Sequence, residues 1–185
     1  MKVIATALPG VMIIEPKVFG DAWGFFMETW NQARYEEHGL PAVFVQDNLS
    51  FSQKGVLRGL HFQNPNAQGK LVYVLQGEVF DVAVDIRVGS PTMGKWVGVT
   101  LSSENKCQIY IPEGFAHGFC VTSETALFAY KCTEMYQPLS EYGVSWKDPD
   151  LGIKWPIEKP LLSEKDLNYP RLKDIRKNCF SFDNQ

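Results

Sequence analysis

Histidine is scarce in this sequence: His38, His61 and His117 are the only three in 185 residues. So few imidazoles leave little material for a metal site. The four cysteines, Cys107, Cys120, Cys132 and Cys179, show no C-x-x-C spacing. That removes the usual zinc and redox motifs and predicts reduced, mostly buried thiols. No apolar run is long enough to cross a bilayer. The run after Lys2 breaks at Pro9-Gly10 and the next ends at Glu15-Pro16, too short and interrupted for a signal peptide. A soluble, cytoplasmic protein with no membrane partner is the expectation. Positive charge is not in excess: 18 Lys and Arg face 21 Asp and Glu, for a net charge of −3 and a pI near 5.6. That balance argues against a nucleic-acid partner, but a small anionic ligand needs only a few local cations. Internal repeats, low-complexity tracts and linkers are also missing.

What the sequence does have is 45% hydrophobic residues and 13% aromatics, arranged in short β-type runs. Gly10–Ile14, Phe25–Trp30, Val43–Val45, Val56–Gln63, Leu71–Leu75, Val79–Ile86, Trp96–Leu101, Cys107–Ile111, Gly118–Thr122 and Ala126–Cys132 read as strands. Gln76-Gly-Glu78 reads as a hairpin turn, with glycine where positive φ is needed. Asn31 is placed to cap a short helix over Gln32–His38, with Gly39 as its stop. After Pro138 the pattern loosens into aromatic-packed loop, and residues from about 171 to 185 read as a short helix and tail. Many short strands at close spacing predict a single all-β domain, a sandwich or barrel, over residues 1–185. In Val79–Asp85, Asp81, Ala83 and Asp85 share one face, which is either a carboxylate-bearing cavity wall or solvent.

Charged groups interrupt one apolar strand. In Val56-Leu-Arg-Gly-Leu-His-Phe-Gln63, Arg58 and His61 stand three residues apart. Burying Arg58, Lys70 and His61 together is costly unless they meet an anion, so an anionic ligand with proton transfer nearby is predicted. A regular strand would point Arg58 and His61 to opposite faces, and Gly59 is the residue that permits a bulge between them. His117 closes Pro112-Glu-Gly-Phe-Ala-His117, the P-x-G-x-x-H spacing of the second cupin motif. The first such motif usually supplies H-x-H, whereas this chain offers His61 and Gln63, so no metal is expected. His38, beside Glu36 and Glu37, reads as surface.

Taken in order, Phe44–Asn48, Val56–Gln63, Gln68-Gly-Lys70, Gly77–Asp85 and Ile111–Phe119 closely resemble the dTDP-4-dehydrorhamnose 3,5-epimerase family. The resemblance runs from Glu15–Asp21 to Leu162–Asp166. It implies a cupin-type double-stranded β-helix, or jelly roll, with a few short helices, no cofactor, and a homodimer whose N-terminal strands cross to the partner. It implies a dTDP-linked 4-keto-6-deoxy sugar as substrate. His61 would be the base, Asp166 its carboxylate partner and Tyr130 the acid. Lys70 and Arg58 would stabilise negative charge, with His117 and Asp81 in the pocket and Tyr136 stacked on the thymine. Phe26, Glu28, Gln46, Asp47, Asn48, Glu141 and Lys165 would contact nucleotide and sugar. One departure stands out: Trp23 occupies the place of an arginine expected to contact the nucleotide, often across a dimer interface. Tyr73 likewise stands where basic residues are frequent. Three other readings compete: a C3-only or C5-only epimerase, a metal-dependent cupin oxygenase or isomerase, and a non-catalytic sugar-nucleotide binder.

Overall fold

The computed structural model describes residues 1–182. One sheet runs in the order β1 (Lys2–Ala5), β2 (Met12–Glu15), β10 (Gln108–Ile111), β7 (Lys70–Gln76), β12 (Thr125–Cys132), β5 (Gln46–Gln53). The facing sheet runs β13 (Glu141–Gly143), β6 (Leu57–Gln63), β11 (Phe115–Val121), β8 (Glu78–Asp85), β9 (Trp96–Ser102). A separate ribbon pairs β3 (Val18–Gly20) with β4 (Phe25–Met27). All named pairings are antiparallel, and the two sheets form the jelly roll expected from the sequence.

Three apolar layers follow from strand alternation. Val72, Val74, Ile109, Ala126 and Phe128 from the larger sheet meet Val79, Ala83, Leu101, Phe119 and Val121 from the smaller. On the outer face of the smaller sheet, Leu60, Phe62, Val82 and Val84 lie under Leu151, Leu172, Ile175 and Cys179. On the outer face of the larger, Ile14, Leu71 and Tyr110 are covered by Tyr35 and Leu40. Tyr35 belongs to α1 (Gln32–Glu36), whose N-cap Asn31 accepts from Arg34 N at 3.2 Å. Helix α1 is shorter than the sequence suggests, closing before Gly39, which sits at φ +80°.

Several expectations change. Gln76-Gly-Glu78 is not a hairpin: β7 and β8 lie in different sheets, so the chain turns a corner there. Gly77 does take positive φ, at +80°, and a Cβ on it would meet Thr125 O at 2.0 Å. Val43–Val45 is not strand; pairing with β12 starts at Gln46. The segment after 170 is not a loose tail through residue 182. Short 3-10 turns at Leu172–Asp174 and Arg176–Asn178 dock it onto the smaller sheet. The last three residues of the expected tail, 183–185, lie outside the described residues.

Candidate active site

Strand β6 slips between its two polar residues. His61 stands opposite His117, yet Arg58 stands opposite Phe119, so three steps on β6 match two on β11. This is the bulge that brings residues of opposite parity to one face. Gly59 makes it feasible, with φ +123° and a position where a Cβ would lie 2.6 Å from Gly118 Cα. Arg58 and His61 consequently line the same cleft, of about 300 Å³, with Lys70, His117, Tyr130, Tyr136, Glu141 and Lys165.

His61 is held from behind. Its Nε2 lies 2.5 Å from Asp166 Oδ1. Asp166 is 3% exposed and belongs to α2 (Glu164–Leu167), whose cap Ser163 donates to Asp166 Oδ2 at 2.7 Å and accepts from Asp166 N at 3.1 Å. Burial works to raise the Asp166 carboxyl, but hydrogen bonds from His61 and Ser163 outweigh it and hold the group ionised. Burial lowers the His61 imidazole below its usual range, against the pull of Asp166. The resting pair is therefore a neutral imidazole on a carboxylate. Assigning the Nε2 proton to that contact leaves Nδ1 with the lone pair. Tyr169 packs edge-on against the ring, centroids 5.6 Å apart.

The opposite wall comes from the larger sheet. Tyr130 on β12 and Lys70 on β7 face inward beside Val72 and Phe128, with Lys70 Nζ 6.0 Å from the Tyr130 ring centroid. Burial pushes the Tyr130 phenol up to about 12, so it carries its proton at neutral pH. Burial lowers Lys70, with Cys132, Asp81 and Glu141 opposing the change. Arg58 donates from Nε to Ser52 Oγ at 3.2 Å. A base, a proton-bearing phenol and two cations thus share one cleft.

The carboxylate-bearing face of β8 lies inside the barrel. Asp81, fully buried, meets His117 Nε2 at 2.9 and 3.1 Å and stands behind that histidine, outside the lining of the cleft. Asp85 serves structure: it accepts from Arg87, Ser90 and Thr92. At the rim, Glu141 accepts from Tyr136 Oη and Lys165 Nζ, both at 2.8 Å, and those bonds hold it ionised against its burial. A second recess of about 270 Å³, lined by Gln46, Asn48, Gln68, Tyr130 and Tyr136, continues the groove outward.

Besides Asp81, which sits behind His117, three expected contacts reach neither this cleft nor its outer recess within one chain. Asp47 points to the outer face by strand alternation and pairs with Lys131 at 2.8 Å. Glu28 pairs with Arg34, and Phe26 lies exposed on the β3–β4 ribbon. Trp23, at the ribbon's tip, is 93% exposed. Sequence reasoning missed Ser50, Ser52, Ser163 and Tyr169, since serines and tyrosines on strand faces and loops carry no distinctive pattern. Among the described residues, no three His, Cys, Asp or Glu side chains converge as metal ligands.

A cupin-type barrel with His61, Tyr130, Lys70 and Arg58 gathered in one cleft is the frame of an epimerase-type isomerase. Residues 5–174 match the family model described as dTDP-4-dehydrorhamnose 3,5-epimerase. The chain belongs to that family. It is 60% identical over 176 residues to the enzyme of that name from Shigella flexneri, covering 94% of this chain and 97% of the relative. It is 40% identical over 178 residues to a dTDP-4-dehydrorhamnose 3-epimerase from Streptomyces niveus, covering 95% and 86%. Among solved structures it is similar to a dTDP-6-deoxy-D-glucose-3,5-epimerase from Legionella pneumophila in complex with dTDP-4-keto-L-rhamnose. That likeness has 55% identity, a TM-score of 0.96 and 98% coverage of each chain.

Proposed function

We propose that the protein converts dTDP-4-keto-6-deoxy-D-glucose to dTDP-4-keto-L-rhamnose by epimerising C3 and C5, without a cofactor. The observation that carries this is the placement of His61 and Tyr130 on opposite sheets of one cleft that also holds Lys70 and Arg58. C3 and C5 both flank the ketone, so a proton removed from either leaves its electron pair in an enolate. His61 takes the proton, and Asp166 steadies the imidazolium that forms. Lys70 and Arg58 hold the charge gathering on the C4 oxygen. Tyr130 returns a proton from the other face, which inverts the centre. Once His61 has released its proton to solvent and Tyr130 has regained one, the same cycle at the second carbon completes the reaction.

Exposed Phe19, Trp23, Phe25 and Phe26 on the β3–β4 ribbon support a homodimer. In it Phe26, Glu28 and Trp23 serve the nucleotide end of a second copy's cleft, where the Trp23 indole replaces an ionic phosphate contact by stacking. Four free thiols fit a cytoplasmic setting. NMR in deuterated water tests the reaction: deuterium is expected at both C3 and C5. His61→Asn should slow both exchanges by roughly 10² to 10⁴-fold. The Streptomyces relative named for 3-epimerisation keeps a C3-only enzyme as the second reading. Label at C3 alone would establish it.

A further inference from the structure

Two serines stand on the inner face of β5 and are used differently. Ser52, nearly buried, accepts the hydrogen bond of Arg58 Nε at 3.2 Å. Ser50 lines the same cleft as His61, Lys70 and Tyr130, yet its Oγ is closed off from solvent without any hydrogen-bond partner. Buried hydroxyls nearly always have a partner, so an orphan in a cleft wall asks for a ligand. Strand pairing sets Ser50 opposite Phe128, one inward step from the Asn48–Tyr130 pair. The hydroxyl can rotate about χ1 between staggered wells to meet a ligand. No existing bond has to break.

Chemistry narrows the ligand group. Arg58 and Lys70 only donate, which suits a ketone or enolate oxygen. A sugar hydroxyl both donates and accepts, and it is best matched by a group that does the same. Asn48 is already engaged, donating to Cys132 Sγ and accepting from Gln46 Nε2 at 2.9 Å. Ser50 is uncommitted. We infer that Ser50 binds a ring hydroxyl of the substrate sugar and thereby selects sugars that carry it over their deoxy analogues. This assignment rests on the reaction proposed above.

The test compares wild type with Ser50→Ala on dTDP-4-keto-6-deoxyglucose and on its 2-deoxy and 3-deoxy analogues. Deuterium exchange at C5 is the readout, since all three substrates keep that carbon beside the ketone. On the parent, kcat/KM is expected to fall about tenfold. On the analogue that lacks the hydroxyl bound by Ser50, the two proteins should perform alike. The ligand-free Tm of Ser50→Ala should not drop, because the substitution removes an orphan. An equal fall on all three substrates, no fall on the parent, or a lowered Tm would each overturn the assignment. If wild type exchanges no label at C5, the reaction itself fails, and that is seen before any variant is compared.

Discussion

Lys70 and His61 set opposite ends of a pH window. In the proposed reaction an ammonium holds the enolate, which requires Lys70 protonated, and burial draws its proton loss below the ordinary 10.5. The proposed base must be neutral, and burial draws His61 below the ordinary 6.5. Activity should therefore rise with pH on a limb below 6.5. It should fall on a limb below 10.5, before Tyr130, near 12, begins to ionise. Lys70→Arg carries a cation that stays protonated, so its alkaline limb should move upward in a kcat/KM profile, at a lower plateau. An unmoved limb would assign it to another group. At this scale the sequence is legible where a residue offends its surroundings. Arg58, His61 and Lys70 interrupt apolar strands and so draw the eye to a ligand site, although His61 and Lys70 end only partly buried and Arg58 stays exposed, so the burial argument held for two of the three. Tyr130 offends nothing, and Asp166 lies 105 positions from its partner on a different element. Only the family resemblance pointed to those two.

Among elements, β5 explains why part of the fold escaped sequence reading. Its inner face is Asn48, Ser50 and Ser52, while Leu49 and Phe51 point outward at about 60% exposure. Alternation normally hides the apolar set; here the cleft takes the polar one, so the strand looks like a loop. The corner at Gly77 misled differently, because a glycine turn between two β runs has the same spacing whether the second strand pairs with the first or leaves for the facing sheet. The bulge on β6, by contrast, was legible, since parity demanded an irregularity and only Gly59 could supply it. Gly59→Ala should be strongly destabilising, by about 3 kcal/mol or more in urea unfolding. Its Cβ would have to enter space held by Gly118 Cα and His117 O, at 2.6 and 2.7 Å, from a backbone that alanine rarely adopts. A loss under about 1 kcal/mol would show that the bulge can relax.

As a whole, the molecule leaves apolar side chains uncovered in two places, the β3–β4 ribbon and the outer side of β5. Sedimentation is expected to give twice the 21.0 kDa chain mass. Phe26→Asp should shift the protein toward monomer and lower epimerisation, although Phe26 is absent from the His61 cleft. A fully active monomer would refute the shared-site arrangement. The route of the chain has a further consequence. The proposed base enters the molecule at residue 61, the carboxylate it contacts at 166, and the layer that seals the back of β6 only at 172–179. During synthesis, a ribosome has therefore made most of the chain before any chemistry can begin. An incomplete chain that stops before Asp166 carries a histidine without the partner that steadies its charge. Such truncated products should therefore be poor at proton abstraction.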